Sequence, residues 1–184
     1  MEIVYRETHA NCSIEIYQES CPDSPDYFRD DPFFLIAGHR QFCVEKEGWD
    51  YRDRNHDKEK YFIAPIEAYI HSGVSLAFSY QGNFPDRQWD VSQVGYIVVD
   101  RIECGGDKPA SDEVCKQIAE SLLEEWNVYL DGRVFGYKVT HNKTGEEEIC
   151  GGFYDKSWEG KESCLPEARS LAEALDKHVN KVSA

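Results

Sequence analysis

Residues 61–101 read YFIAPIEAYIHSGVSLAFSYQGNFPDRQWDVSQVGYIVVDR, and this stretch decides the fold that the sequence predicts. It contains three apolar runs of strand length, at residues 62–70, 74–80 and 94–100. Ser72-Gly73 separates the first two runs and indicates a tight hairpin turn, because glycine accepts a positive φ without steric cost. Residues 81–88 are rich in turn formers and precede the third run. The stretch therefore predicts consecutive antiparallel strands.

Three more strands are expected on the N-terminal side. Residues 12–19 alternate between apolar and polar side chains with an imperfect period of two, which is typical of a half-buried antiparallel strand. We expect shorter strands at residues 2–7 and at residues 33–37, the latter ending at Gly38. Residues 44–60 are highly charged and show no alternation, so they predict either a long exposed loop or a short polar helix.

Two helices and a hairpin are expected on the C-terminal side. Ser111 is a good N-cap for a helix that runs to about residue 129. Apolar side chains recur along it at three- and four-residue steps and predict one buried face. These side chains are Cys115, Ile118, Ala119, Leu122, Trp126 and Tyr129. A hairpin at residues 134–141 and 147–154 follows, and a last helix is expected to start near Pro166.

The order of these elements indicates the fold class. Long helices do not alternate with single strands, which disfavours a parallel sheet built from βαβ units. We therefore predict an α+β fold in which an antiparallel sheet of about six to eight strands carries two main helices on one face. A chain of 184 residues can bury a sizeable core, so we predict a single domain over residues 1–184. N-terminal strands and a loop are expected within residues 1–30, and the C-terminal helix within residues 163–184.

The chain is strongly acidic. It has 35 Asp and Glu against 20 Lys and Arg, a formal net charge of −15 and a pI near 4.7. Such a field repels phosphate backbones and anionic membranes, so direct binding to nucleic acid or to a membrane is disfavoured. The negative charge has two interpretations. In the first, it keeps the protein soluble. In the second, it makes the protein resemble a polyanion, so that a partner that normally binds nucleic acid can bind it.

Neither targeting nor metal binding is indicated. No apolar run approaches the roughly 18 residues of a membrane helix, and the N-terminal residues lack the pattern of a signal peptide, so we expect a cytoplasmic protein. The cysteines are odd in number and have no Cys-x-x-Cys spacing, which favours reduced thiols and predicts neither a metal nor a cofactor. They are Cys12, Cys21, Cys43, Cys104, Cys115, Cys150 and Cys164.

Some residues have the chemistry of an active site without a specific pattern. His71 and Ser72 with Asp90 supply the residue types of a hydrolytic triad, and His39 with Cys43 supplies those of a thiol nucleophile and its base. His39, His71 and Asp90 could also ligate a metal. The sequence contains no Gly-x-Ser-x-Gly motif, no Walker loop and no Gly-x-Gly-x-x-Gly motif. We predict no catalytic residue and keep as the alternative an enzyme that uses His71 and Asp90 with Ser72 or Cys43.

Acidic side chains on the first long helix suggest a surface for a protein partner. Glu120 and Glu124 are one turn apart, about 6 Å along the axis, which is close to the spacing of phosphates on an extended strand. A solvated helix face is the simpler interpretation of the same pattern. The full set of predicted partner-binding residues is Glu113, Glu120, Glu124, Glu125, Glu146, Glu147, Glu148, Asp30 and Asp31.

Three ordered motifs resemble a family of small proteins encoded by phages and conjugative elements. They are residues 34–40 (FLIAGHR), 69–76 (YIHSGVSL) and 89–97 (WDVSQVGYI). Residues 129–137 (YLDGRVFGY) and 150–154 (CGGFY) are similar to the closing hairpin of that family. Ser92 departs from the pattern, because the family has glycine there.

The resemblance implies a setting in a mobile genetic element. Acidic proteins of such elements that lack an enzymatic signature are often antagonists of host defence, of the anti-CRISPR or anti-restriction type. Joined to the charge, this leads to the hypothesis of an acidic protein that binds and blocks a basic, nucleic-acid-targeting defence complex in the host cytoplasm. The enzyme named above is one alternative. A structural or regulatory module whose protein partner has no special charge is the other.

Overall fold

The computed structural model describes residues 2–26, 30–53, 56–82, 84–85, 90–160 and 163–182. Its elements, in chain order, are β1 (Glu2–His9), β2 (Cys12–Gln18), β3 (Phe33–His39), β4 (Phe42–Val44), β5 (Tyr61–Ile70), β6 (Val74–Phe78), β7 (Val91–Asp100), α1 (Arg101–Gly105), α2 (Asp112–Leu130), β8 (Val134–His141), β9 (Glu147–Tyr154) and α3 (Cys164–Val182).

The α+β class and the antiparallel pairing are confirmed. The described strands form a four-stranded sheet of order β1-β2-β8-β9 and a five-stranded sheet of order β4-β3-β7-β5-β6. The expected single sheet of about six to eight strands is therefore corrected to two sheets. The reason is the pairing of β2 with β8, in which Cys12 faces His141. This register joins the two terminal hairpins, and no local periodicity could reveal it.

Contacts divide the chain into two compact units. Met1–Asp23 and Gly132–Ala184 form the terminal unit, and Ser24–Asp131 form the central unit. Each unit has its own sheet and its own long helix, α3 in the terminal unit and α2 in the central unit. The expectation that both helices pack on one face of a common sheet is corrected accordingly.

The terminal unit buries one face of its sheet against α3. Cys12, Ile14 and Ile16 of β2 are fully buried and pack with apolar residues of α3, including Ala168 and Ala172. Ser13 and Glu15 alternate with them and are half-buried, as the period of two predicts, whereas Tyr17 departs from the pattern and is buried. α3 begins at Cys164, two residues before the expected start near Pro166.

The central unit covers both faces of its sheet. On one face, α2 packs its Cys115, Ala119 and Trp126 against the inward side chains of the strands, which confirms the helix that the sequence predicts. The opposite face carries the buried side chains of Phe34 and Tyr96, with other aromatic residues packed against them. Burial on both faces explains why β3 and β7 read as continuous apolar runs.

The polar segment after β4 contributes to this second face. Trp49 packs edge-on against Phe34 and against Tyr61, with ring centres 5.1 Å apart in each pair. A Cβ at Gly38 would overlap the ring of Tyr51, so glycine is needed there for the segment to lie on the sheet. The segment was expected to be an exposed loop or a polar helix. Its described residues after β4 contain turns and no helix, and its aromatic side chains are half-buried.

Two turns show where glycine is required. Gly132 follows the C-cap residue Asp131 of α2 with φ of 69°, as expected for a helix end. Gly73, in the β5–β6 turn, does not have a positive φ. The prediction that this turn depends on a positive φ at glycine is therefore wrong. Within the described ranges, no helix is long and apolar enough to cross a membrane.

Candidate functional site on helix α2

The orientation of α2 decides which of its side chains face solvent. Ser111 caps the helix, and its Oγ accepts a hydrogen bond from the N–H of Val114 at 3.4 Å. Near the other end, the Asn127 side chain bonds to both backbone groups of Leu76 in β6, at 2.8 and 3.0 Å. With the buried apolar face, these contacts fix the rotation of the helix about its axis.

The face opposite the core carries a row of carboxylates. Glu113, Glu120 and Glu124 are exposed, and at 100° per residue they fall within about 40° of arc. Along the axis they are about 10 Å and about 6 Å apart. α2 contains five carboxylates and one ammonium group, that of Lys116, which lies 3.8 Å from Glu120. We call Glu113, Glu120 and Glu124 the acidic row.

A shallow groove of about 290 Å³ runs beside the acidic row. Phe33, Ile118 and Leu122 give it an apolar floor, and Glu125 lies at its edge. Sequence reasoning missed this groove, because Phe33 comes from β3 and reaches α2 only in the folded structure. Val114, on the same side of the helix, is 42% exposed. The helix thus presents apolar groups next to a line of negative charge.

The other predicted partner-binding residues divide between the two units. Asp31 is two residues before Phe33, so chain connectivity keeps it within about 7 Å of the groove, and exposed Asp30 precedes it. Glu146, Glu147 and Glu148 belong to the terminal unit. The ammonium group of Lys138, 2.5 Å from Glu147, lowers the pKa of that carboxyl.

The candidate triad residues lie around the β5–β6 turn. His71 and Ser72 are exposed, and the His71 N–H donates to the carbonyl of Gly73 at 3.2 Å. The N–H of Ile70 donates to the backbone carbonyl of Asp90 at 2.9 Å, which brings the three residues near one another. No hydrogen bond connects the side chains of these three described residues. Trp89 and residues 83 and 86–88 of the predicted loop lie outside the described ranges.

Cys43 is remote from these residues. It is in β4, at one edge of the five-stranded sheet, whereas β5 and β6 are at the other edge. β3 and β7 lie between β4 and β5, so about 14 Å separates β4 from β5 at the usual strand spacing. His39 pairs with Phe42, while Cys43 pairs with Gly38. Neighbouring positions point to opposite faces, so the sheet brings Cys43 together with neither histidine.

In the described part of the chain, metal-ligating side chains do not cluster and the buried thiol of Cys164 is held protonated. This part of the chain contains no group of three or more His, Cys, Asp or Glu side chains placed to hold a metal ion. No disulfide joins the seven cysteines. Burial raises the pKa of Cys164 to about 12, which leaves this thiol protonated and unreactive at neutral pH.

A buried polar cluster in the terminal unit escaped sequence reasoning. His141 is 1% exposed, and its Nδ1 accepts the backbone N–H of Thr144 at 3.3 Å. Nε2 therefore carries the proton and faces Oδ1 of Asp176 in α3 at 3.5 Å. Asn11 donates to the same oxygen and lowers the pKa of Asp176. The backbone N–H of Thr144 occupies the basic nitrogen, so the cluster connects the β8–β9 turn to α3 and is not arranged as a catalytic base.

The acidic row and its groove are thus the best-defined candidate site. They combine exposed charge, a fixed helix orientation and an apolar anchor point in one unit. Comparison with protein-family models, with curated proteins and with solved structures finds no match to this chain.

Proposed function

We propose that this protein is an acidic antagonist from a mobile genetic element that binds a nucleic-acid-targeting defence complex of the host, of the CRISPR or restriction type. It acts by stoichiometric binding in the host cytoplasm, and α2 occupies part of a basic groove on the target. The observation that carries the proposal is the exposed acidic row on a helix of fixed orientation. The family resemblance of the central motifs supports the setting.

The spacing of charge supports mimicry of nucleic acid. Glu120 and Glu124 are about 6 Å apart along the helix, and Glu113 continues the line toward the N-terminus. A surface that evolved to displace counterions from phosphates with Lys and Arg gains similar interactions from such a line of carboxylates. With a net charge of −15, the whole chain adds long-range attraction, which speeds association with a basic partner.

The groove beside α2 supports a protein partner. Charge alone gives fast but weak association, and stable interfaces concentrate their free energy in a few desolvated apolar contacts. Phe33, Ile118 and Leu122 provide a floor on which an apolar side chain of the partner can be buried. Acidic Asp31 and Glu125 lie close to this floor and surround the anchor with negative charge.

Capture from a host-cell lysate tests the proposal. The tagged protein is compared with the triple variant Glu113→Lys, Glu120→Lys, Glu124→Lys, and captured proteins are identified by mass spectrometry. A matched control carries Glu47→Lys, Glu59→Lys and Glu159→Lys, which changes the net charge equally at exposed positions outside α2. Circular dichroism checks the folding of both.

We expect the wild type and the control to capture the same nucleic-acid-handling complex and the α2 variant to lose it. Equal capture by all three proteins would show that the acidic row is not the binding surface. Loss in both variants would show that net charge, and not this helix, determines binding.

A further inference from the structure

Strand β5 is longer than its outer neighbour, which leaves a step in the edge of the five-stranded sheet. β5 has 10 residues and β6 has 5, and β6 pairs only with residues 66–70 of β5. The N–H of Ser79, directly after β6, donates to the carbonyl of Pro65 at 2.9 Å, so residues 61–64 border an open edge. Pro65 lies where this edge begins and has no N–H, so the step is a poor template for another strand.

A pocket of about 470 Å³ lies along the step. This volume is within the range of roughly 300 to 1,000 Å³ that is typical of small-molecule sites. β5 and β7 contribute apolar and aromatic walls, formed by Tyr61, Phe62, Ile63, Pro65 and Tyr96. A flat, apolar ring is the kind of group that such walls accept.

The ionisable groups at the pocket are mainly basic, although the whole chain has a charge of −15. Lys58, His56 and Arg101 line it, together with the carboxylate of Asp112. Nη2 of Arg101 is 2.6 Å from Oδ1 of Asp112, so this carboxylate is neutralised. Lys58 makes no ion pair with another residue of the described ranges. Among the described residues that line the pocket, Lys58 is therefore a cation without an ion-pair partner.

Arg101 adds a donor without an acceptor. Its side chain packs over Phe62, with 5.6 Å from the guanidinium carbon to the ring centre, and Nη1 donates to the carbonyl of Ala110 at 3.1 Å. Nε is buried and has no hydrogen-bond partner among the described residues. Buried N–H groups of charged side chains are rarely left unpaired. The guanidinium of Arg101 therefore keeps one donor that the described residues do not satisfy.

We infer that this pocket binds a small aromatic anion. The ring lies against the wall that includes Pro65 and Tyr96, and the anionic group lies near Lys58 and Arg101. Gln93, exposed at the rim, offers an amide donor and acceptor to a polar edge of the ring. Either a phosphate or a carboxylate can serve as the anionic group. A nucleoside monophosphate and an aromatic carboxylate are therefore two kinds of molecule that fit the pocket. The site is separate from the acidic row and goes beyond the proposed antagonism.

Isothermal titration calorimetry on the full chain tests the inference with two matched pairs of probes. AMP is compared with adenosine, and 2-naphthoate with 2-naphthamide. We expect the anion of one pair to bind at least about tenfold more tightly than its neutral counterpart, because a charge-assisted hydrogen bond is lost in the neutral molecule. The pair that responds identifies phosphate or carboxylate as the preferred group.

Variants then place the binding in the pocket. Lys58→Gln should weaken the anion about tenfold, whereas Lys143→Gln, which removes an exposed lysine of the terminal unit, should leave it unchanged. Gln93→Trp should block the mouth of the pocket and abolish binding. The inference is overturned if neither anion binds at about 1 mM, if the neutral probes bind equally well, or if Lys58→Gln has no effect.

Discussion

The side chain of Asn127 pairs with both backbone groups of Leu76. Its Oδ1 accepts the Leu76 N–H at 2.8 Å, and its Nδ2 donates to the Leu76 carbonyl at 3.0 Å. A single amide thus takes the place of a neighbouring strand at this point of the edge strand β6, and it connects α2 to the sheet. The rotation of α2, and with it the outward direction of the acidic row, depends on this pair.

Replacing Asn127 with Leu should destabilise the protein by about 2 kcal/mol, because two half-buried hydrogen bonds are lost together. Urea denaturation followed by circular dichroism measures this change. Ser121→Ala, at an exposed position of the same helix, is the control and should change stability by less than about 0.5 kcal/mol. A loss of similar size in both variants would contradict the role assigned to Asn127.

Substitution by alanine should lower the stability of the protein at one glycine of the central motifs and leave it unchanged at another. A Cβ at Gly95 would overlap the backbone carbonyl of Ile36, whereas nothing lies within 4 Å of a Cβ at Gly73. Gly95→Ala should therefore destabilise the protein by about 3 kcal/mol or more, since the backbone of β3 would have to move. Gly73→Ala should be neutral within about 0.5 kcal/mol. Thermal denaturation of the two variants decides the point, and a neutral Gly95→Ala would contradict the close approach of β3 and β7.

The terminal unit should lose stability in acid through Glu7. Arg169 donates two hydrogen bonds to this carboxylate, at 2.7 and 2.8 Å, and lowers its pKa from 4.5. Because the pKa is lower in the folded state, the stabilisation is complete above the unfolded pKa and is lost as the pH falls through the folded pKa.

Denaturation midpoints between pH 7 and pH 3 measure this effect. Glu7→Gln should be less stable than the wild type at pH 7, and the difference should shrink as the pH falls below about 4. Glu159→Gln, at an exposed position of the same unit, should follow the wild type throughout. A difference between Glu7→Gln and the wild type that is the same at every pH would contradict this assignment.

Binding to the proposed defence complex should show electrostatic steering by the acidic row. Glu120→Gln removes one exposed charge, so the association rate should fall by about two- to threefold and the dissociation rate should change little. The association rate of the wild type should also fall as salt rises from 50 to 300 mM. Surface plasmon resonance with the captured complex measures both rates. Glu59→Gln is the control, and an equal loss in both variants would contradict steering by the row.

The sequence predicted the elements whose signals are local. Ser111 and the three- and four-residue steps from Cys115 to Trp126 identified the start and the buried face of α2, because capping and helical periodicity involve only neighbouring residues. The three-residue strand β4 was missed, since a strand this short has no period. Trp49 and Tyr51 cover the second face of the sheet. This could not be predicted, because the segment that contains them is highly charged and shows no apolar periodicity.

The candidate site, like the fold, was predicted only where its signal is local in the sequence. The acidic row followed from helical spacing alone, whereas the groove and the pocket did not. Phe33 and Ile118 meet only after β3 and α2 pack together. The pocket depends on the unequal lengths of β5 and β6, and the sequence suggested a longer β6 that would have closed much of the step.

The pairing of β2 with β8 has a consequence for synthesis on the ribosome. Gln18 of β2 pairs with Phe135 of β8 in the finished sheet. The β1–β2 hairpin is therefore synthesised more than one hundred residues before the strand β8 with which it pairs. At a translation rate of about 5 to 20 residues per second, the wait is on the order of ten seconds. An isolated two-stranded hairpin is barely stable in water, whereas residues 24–131 contain a complete sheet and helix. Residues 24–131 can therefore fold first, and the β1–β2 hairpin must stay unaggregated until β8 and β9 have been made.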